Sequence, residues 1–226
     1  MKSITQILDI AKSVIRLESE TIAELGDKLN DDFVKAVELI LSSKGRVIVA
    51  GVGKSANIAS KIVATFNSTG QPAVFLHAGD AIHGDLGNIQ KNDIVICISK
   101  SGNTSEIKYL LPLIKNMRNK IIAITGNNDS YLANEADCVL DASVKKEACP
   151  HNLAPTSSTT AQLVLGDALA ICLLDCKNFT DKDFARFHPG GVLGKKLFLK
   201  VYDITKNNEV PSVQSNENIQ EVIIEI

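Results

Sequence analysis

Three short stretches concentrate the residue types that could do chemistry. The first is "IVAGVGKSANI", residues 48–58, where an apolar run meets Gly51, Gly53, Lys54 and Ser55. The second is "SKSGNTSE", residues 99–106, which places Ser99, Ser101, Gly102, Asn103, Thr104 and Ser105 in one turn. The third is "PTSSTT", residues 155–160, with Ser157, Ser158 and Thr159. Each stands where a helical pattern begins. Backbone N–H groups at a helix N-terminus point outward with partial positive charge and favour an anion. Hydroxyls add donors, glycine lets the backbone approach, and Lys54 adds a full charge. Together they suit a compact phosphomonoester. Helix capping by Asn103 or Thr104 also accounts for the second stretch, and the two roles can coexist.

Two nucleotide motifs compete at the first loop. The G-K-S at 53–55 would close a phosphate-cradling P-loop, but the glycine that should open it is Ile48, inside the apolar run. Gly51, Gly53 and Ala56 fit the dinucleotide pattern G-x-G-x-x-G/A, yet the next strand, "AVFLH", does not end in an acid suited to a ribose. A monophosphate pocket is the better reading, and no nucleotide cofactor is expected.

The elements that must position these loops alternate along the chain. Helical spacing runs over 3–29 and again over 31–43, with Asn30 or Asp31 as cap. "RVIVAG", "AVFLH", "DIVICIS", "KIIAITG" and "CVLDAS" read as five strands. Helices are predicted over 55–68, over 104–118 with Pro112 inside, near 130–136, and over "SSTTAQLVLGDALAICLLDC". "AGDAIHGDLGN" reads as a glycine-rich loop. Continuous Val/Ile strands separated by helices mean a parallel sheet covered on both faces. The fold class is therefore α/β, a doubly wound three-layer sandwich around a five-stranded parallel sheet. In such a sheet the loops converge at the carboxyl ends of the strands.

Composition narrows the function further. The 226 residues are 45% hydrophobic and 22% charged, enough for one globular domain and an appendage. Net charge is -2 with no basic run, so no nucleic-acid partner is expected. Glu18, Glu20, Glu24, Asp27, Asp31 and Asp32 rule out a basic DNA-reading face in the N-terminal helices. The N-terminus is charged every few residues, and "AQLVLGDALAICLL" is interrupted by Asp167. Neither reads as a membrane span, so a cytoplasmic protein is expected. Five cysteines without a C-x-x-C pair read as buried free thiols, and Cys149 with His151 has no second pair to complete a zinc site.

The motifs "GVGKSANIASKI", "HGDLG", "ISKSGNTSEI", "NLAPTSSTTAQLVLGDALA" and "FHPGGVLGKKL" resemble the sugar isomerase (SIS) domain, and more narrowly the arabinose 5-phosphate isomerases. The resemblance covers roughly residues 30–200. It implies interconversion of D-ribulose 5-phosphate and D-arabinose 5-phosphate through an enediol, supplying Kdo for lipopolysaccharide. No metal or organic cofactor is implied. A homotetramer with active sites shared between subunits is. Five positions carry over from the family's motifs: Lys54, His83, Glu106, Glu147 and His188. At those positions Glu147 is expected as carbon base, since a carboxylate in a dry loop can have a raised pKa, and Lys54 to polarise the carbonyl. Glu106 would be an alternative base or orient Lys54. His188 would open the ring or shuttle oxygen protons, and His83 would contact sugar hydroxyls across a subunit boundary. Gly53, Ser55, Ser99, Ser101, Gly102, Asn103, Thr104, Ser157, Ser158 and Thr159 would hold the substrate. His77 and His151 have no such support. The expected organisation is an isomerase domain over 1–200, with N-terminal helices over 1–45, a sheet core over 46–176 and a helical segment over 177–200. Residues 201–226 would begin a CBS module, cut short. An isomerase for another phosphosugar, or a sugar-phosphate-sensing SIS domain without catalysis, are the alternatives.

Overall fold

The computed structural model describes residues 2–198, Tyr202, Lys206, 212–216 and 218–220. The expected module over 201–226 thus lies almost wholly outside the described residues. The chain divides into two compact units, Met1–Phe179 and Thr180–Ile226.

The first unit opens with α1 (Ile4–Gly26) and α2 (Asp31–Ser42). It continues through β1 (Val47–Gly51), α3 (Lys54–Ser68), β2 (Ala73–His77), α4 (Ala78–Ala81) and β3 (Ile94–Ser99). It closes with α5 (Ser105–Asn116), β4 (Lys120–Thr125), α6 (Tyr131–Glu135), β5 (Cys138–Asp141) and α7 (Ser157–Cys176). The five strands are parallel and ordered β2-β1-β3-β4-β5, with Val47 in register with both Ala73 and Ile94. Strand order reverses between β1 and β3, which is where an open α/β sheet leaves a crevice at its carboxyl edge.

Period-two alternation divides the strands between two cores. Val47, Val49, Ile96, Ile122 and Leu140 face α2, α3 and α7. Ile48, Ala50, Val95, Cys97 and Ala123 face α4 and α5. The middle strands are buried on both faces, hence their near-continuous Val/Ile sequences. In the second unit, α8 (Asp181–Phe187) is closed by a capping box of Thr180 and Asp183, and α9 (Val192–Phe198) follows.

Several expectations shift. Asn30, not Asp31, caps α2, accepting from Asp32 N at 3.0 Å. The helix begins at Lys54 itself, which places that lysine at the first turn. α5 runs through Pro112, held by the fully buried Leu110, Leu111 and Ile114. "AGDAIHGDLGN" is not a plain loop: α4 and a 3₁₀ turn over Asp85–Asn88 fold it, because Ala78 and Ala81 bury against the second core. Of the cysteines only Cys97 and Cys138 are buried, and burial pushes both thiols up to about 12; Cys176 is exposed. α7 is long and apolar enough by composition to cross a membrane, more so than the 14-residue run within it suggested. Ala161, Leu165, Leu169 and Leu173 bury it as a core helix instead.

α7 packs on α3 at a close approach. A Cβ on Gly166 would stand 2.3 Å from Ile62 Cδ1. Gly166→Ala therefore overpacks the contact, at a cost of about 1–3 kcal/mol less the ~1 kcal/mol gained from helix propensity. Ile62→Ala removes the colliding atoms. In urea titrations the double variant should lose about 1–2 kcal/mol less than the sum of the singles; additive losses would show that the helices do not meet here.

Candidate active site

The crevice at the strand-order reversal is a cleft of about 270 Å³, lined by three loops. Val52, Lys54 and Ser55 come from the β1–α3 turn. Ile98, Ser99, Lys100, Ser101 and Thr104 come from the β3–α5 turn. Pro155, Ser158, Thr159 and Gln162 come from the start of α7. The expected convergence of the three hydroxyl-rich stretches is thus observed. The volume is at the small end for ligand sites, which suits one small polar molecule and not a dinucleotide.

Capping distinguishes the helices around this cleft. α1, α2 and α6 are each closed by a side chain, from Ser3, Asn30 and Ser130. α3, α5 and α7 have no side-chain cap from their own N-cap residues, Gly53, Thr104 and Thr156. Thr104 stands at the cap position of α5, but its hydroxyl lies 3.4 Å from Ser99 Oγ instead of on the helix. α3 and α5 therefore keep N-terminal donors that no N-cap side chain takes, although the Glu106 carboxyl engages its own N–H. Gly53 adopts φ +59°, where a Cβ is strained, and turns the chain into α3 beside Lys54. Gly102 at φ +63° is demanded twice, since a Cβ there would stand 2.0 Å from Ser130 Oγ. Its N–H is fixed by Ser99, through the carbonyl at 3.2 Å and Oγ at 3.1 Å.

The third helix start differs. Glu147, in the loop before α7, is buried, with its side chain 0% exposed. Its Oε2 accepts from Thr156 N at 2.8 Å, Ser158 N at 3.1 Å and Thr156 Oγ1 at 3.2 Å. Its Oε1 accepts from Ser158 Oγ at 2.5 Å and pairs with Lys100 Nζ at 2.6 Å. A carboxylate from the preceding loop thus caps α7. Burial alone raises the pKa, but Lys100, the Ser158 hydroxyl and the Thr156 and Ser158 N–H groups outweigh it and hold the carboxyl down to about 2. The expectation of a raised pKa is corrected on this point, because every strong donor nearby favours the ionised form. Ser157 also departs from its expected place. It is fully buried and outside the cleft, and its hydroxyl has no partner among the described residues.

Glu106 is the second residue of α5. Its own N–H, Ser105 Oγ at 2.9 Å and the charge of His77 keep its carboxyl below the usual range. It does not bond Lys54 among the described residues. His77 ends β2 in register with Gly51, so it stands at the same carboxyl edge. Its place in the register was the available signal, and sequence reasoning passed over it. Asn103 Oδ1 accepts from Tyr131 N at 3.2 Å and braces the turn against α6. His83 is exposed between α4 and the 3₁₀ turn and does not line the cleft. His188 belongs to the second unit, where it ends α8. Its ring stacks on Phe184 at 4.0 Å, and Nδ1 lies 2.9 Å from the Phe184 carbonyl. A carbonyl only accepts, so Nδ1 carries a proton in this contact and Nε2 is left free of it. The cleft residues that sequence reasoning missed are Val52, Ile98, Pro155, Gln162 and above all Lys100. A lysine in a serine turn reads as a solvated charge until its partner, 47 residues on, is placed beside it.

Residues 40–172 match the SIS domain family. The chain is 54% identical to "Arabinose 5-phosphate isomerase KdsD" of Francisella tularensis, over 99% of this chain and 70% of that protein. It is 51% identical to the protein of the same name from Pseudomonas aeruginosa, over 96% and 67%. Among solved structures it is similar to the c3406 protein of E. coli CFT073 in complex with arabinose 5-phosphate, with TM-score 0.81 and 41% identity, over 83% of this chain and all of that one.

The Glu147 cap has a pH signature. A depressed folded-state pKa stabilises above the unfolded value of about 4.5, and that stability is lost as pH falls towards about 2. Between pH 5 and pH 2 the wild type should lose on the order of 3 kcal/mol more than Glu147→Gln in urea unfolding. Parallel profiles would mean that the carboxylate is not held in this network.

Proposed function

The chain belongs to the SIS-domain family and, within it, to the arabinose 5-phosphate isomerases, and from this we propose that it interconverts D-ribulose 5-phosphate and D-arabinose 5-phosphate. The observation that carries the reading is the cleft itself. Two uncapped helix starts, a ring of hydroxyls and Lys54 meet at the carboxyl edge where strand order reverses. That constellation holds a phosphomonoester and leaves a cation beside the rest of the ligand.

Aldose–ketose isomerisation moves a proton between two neighbouring carbons and another between their oxygens. The carbon-bound proton is weakly acidic, so the site needs a base and a stabiliser for the enediolate oxygen. The phosphate serves as a remote handle that fixes the open-chain sugar in place. Lys54, at the first turn of α3, polarises the carbonyl. Glu106 takes the carbon proton, since both oxygens of Glu147 are already engaged. His188 moves the oxygen protons through Nε2 and assists ring opening. Ser55, Ser99, Ser101, Thr104, Ser158 and Thr159 hold the phosphoryl end, and Gly53, Gly102 and Asn103 shape the turns around it. The product serves Kdo and lipopolysaccharide synthesis in the cytoplasm.

The reading includes a homotetramer whose subunits complete each other's sites, with His83 reaching a neighbour's sugar. α1 supports it. Ile4 is 80% exposed and Ile15 67%, and Ile7, Leu8 and Ile22 add to the same apolar surface. A long helix with so much exposed apolar area implies a partner.

Proton NMR with D-arabinose 5-phosphate in D2O tests the reaction. D-ribulose 5-phosphate should appear with deuterium at the migrating position. Glu106→Gln should lower kcat by about 100-fold or more, as loss of a general base does. Absence of conversion by the wild type would overturn the reading. In light scattering, Ile7→Asp with Ile15→Asp should dissociate the assembly; an unchanged mass would remove α1 from the interface.

A further inference from the structure

Lys100 is the cleft cation that the reaction described above leaves without a task. It follows β3 directly and lines the cleft with Lys54, in the turn whose hydroxyls and open helix start face the same space. Its backbone is fixed: Gly126 N donates to the Lys100 carbonyl at 3.0 Å, tying it to the end of β4. Its side chain is 46% exposed, whereas that of its partner Glu147 is fully buried. An ammonium has three donors. One lies on Glu147 Oε1 at 2.6 Å, and Glu147 is its one partner among the described residues. The remaining donors are on a half-exposed group at the rim of an anion site.

The charges make the same point. Lys54 and Lys100 supply two positive charges to the cleft wall and Glu147 supplies one negative. A phosphomonoester brings close to two negative charges at neutral pH. Lys54 and Lys100 are the charged residues that line the cleft; without Lys100 only Lys54 faces the ligand as a cation, beside helix N–H groups and hydroxyls. Glu147 meanwhile draws four hydrogen bonds from Thr156 and Ser158, so it is not solely dependent on Lys100 to stay buried.

We propose that Lys100 is a second substrate-binding cation, sharing its ammonium between Glu147 and the phosphoryl group of the sugar phosphate. Glu147 is then a positioning residue. It caps α7 and holds Lys100 along the cleft wall at a fixed point, so the lysine is ordered before the ligand arrives and loses less side-chain entropy on binding. The reaction context rests on the isomerase reading; the phosphate contact itself does not.

The test measures inorganic phosphate binding by 31P NMR titration, together with steady-state kinetics on D-arabinose 5-phosphate. Lys100→Met should weaken phosphate binding about tenfold or more and raise KM in step, with a smaller change in kcat, as loss of a charge-assisted hydrogen bond does. Lys100→Arg should stay within about threefold of wild type, because it keeps the charge. Lys100→Met also leaves a buried carboxylate without its cation, so thermal melting accompanies each variant. The double variant Lys100→Met/Glu147→Gln removes both charges. Phosphate affinity that stays low in it supports direct contact, and affinity restored to the wild-type level overturns the proposal in favour of a purely structural strut. Phosphate binding unchanged in Lys100→Met also overturns it, even if wild-type isomerisation is intact. A wild type that fails to isomerise while Lys100→Met loses phosphate would sink the reaction assignment and leave the Lys100 contact standing.

Discussion

The buried carboxylate of Glu147 is the point to which the cleft walls are referenced. Its two oxygens gather the N-cap and first turn of α7 through Thr156 and Ser158, and the β3–α5 turn through Lys100. The loop that carries it is closed on itself, with Glu147 N donating to Asn152 Oδ1 at 2.7 Å and Ala148 N to Thr156 Oγ1 at 2.8 Å. α7 in turn is keyed to α3. Gly166 admits Ile62, and Ser55 Oγ lies 3.2 Å from Gln162 Oε1. The glycine loop that presents Lys54 is thus located through α7, and α7 through Glu147. A buried ion that loses one partner is costly, which makes such a network a poor source of net stability but an effective one of geometry.

The distribution of caps follows from the same logic. A good N-cap is worth about 1 kcal/mol. Where no ligand is wanted the chain uses one: Ser3 with Gln6 in a capping box, Asn30, Ser130. At the cleft α3 and α5 have no such side-chain cap, which leaves N-terminal donors for an anion. At α7 the chain supplies an anion of its own. Two helix starts lack a side-chain cap and one is closed by a carboxylate, so the proposed phosphoryl site falls on the β1 and β3 side of the cleft, where both lysines stand.

Much of this was legible in the sequence. The five strands are continuous Val/Ile runs because they are buried on both faces, and a run of that kind needs no tertiary information to be recognised. The three loops stood out because glycine, serine and threonine cluster where periodicity changes. What escaped was long-range or local in a different way. The turns inside "AGDAIHGDLGN" depend on Ala78 and Ala81 finding the second core, and alanine carries little signal in a glycine-rich stretch. Glu147 read as part of a charged cluster with Lys145 and Lys146, and a carboxylate in a dry loop suggested a raised pKa. Burial is indeed the largest single influence on it, but its sign is reversed in sum by a lysine far back along the chain and by the helix start that follows its own loop. Family resemblance put Glu147 in the site; only the fold shows what its oxygens are doing there.

That reversal alters how the chemistry divides. The Glu147 carboxylate is held ionised by its donors, and both of its oxygens are already engaged. In the proposed reaction its part is electrostatic and geometric. Glu106 is the contrasting case: a half-exposed carboxylate on the first turn of α5, held by one hydroxyl and its own N–H, with room to change partners. In the proposed reaction the two glutamates divide the work. Glu147 fixes a lysine and a helix start, while Glu106, on a different helix, is left to move the proton.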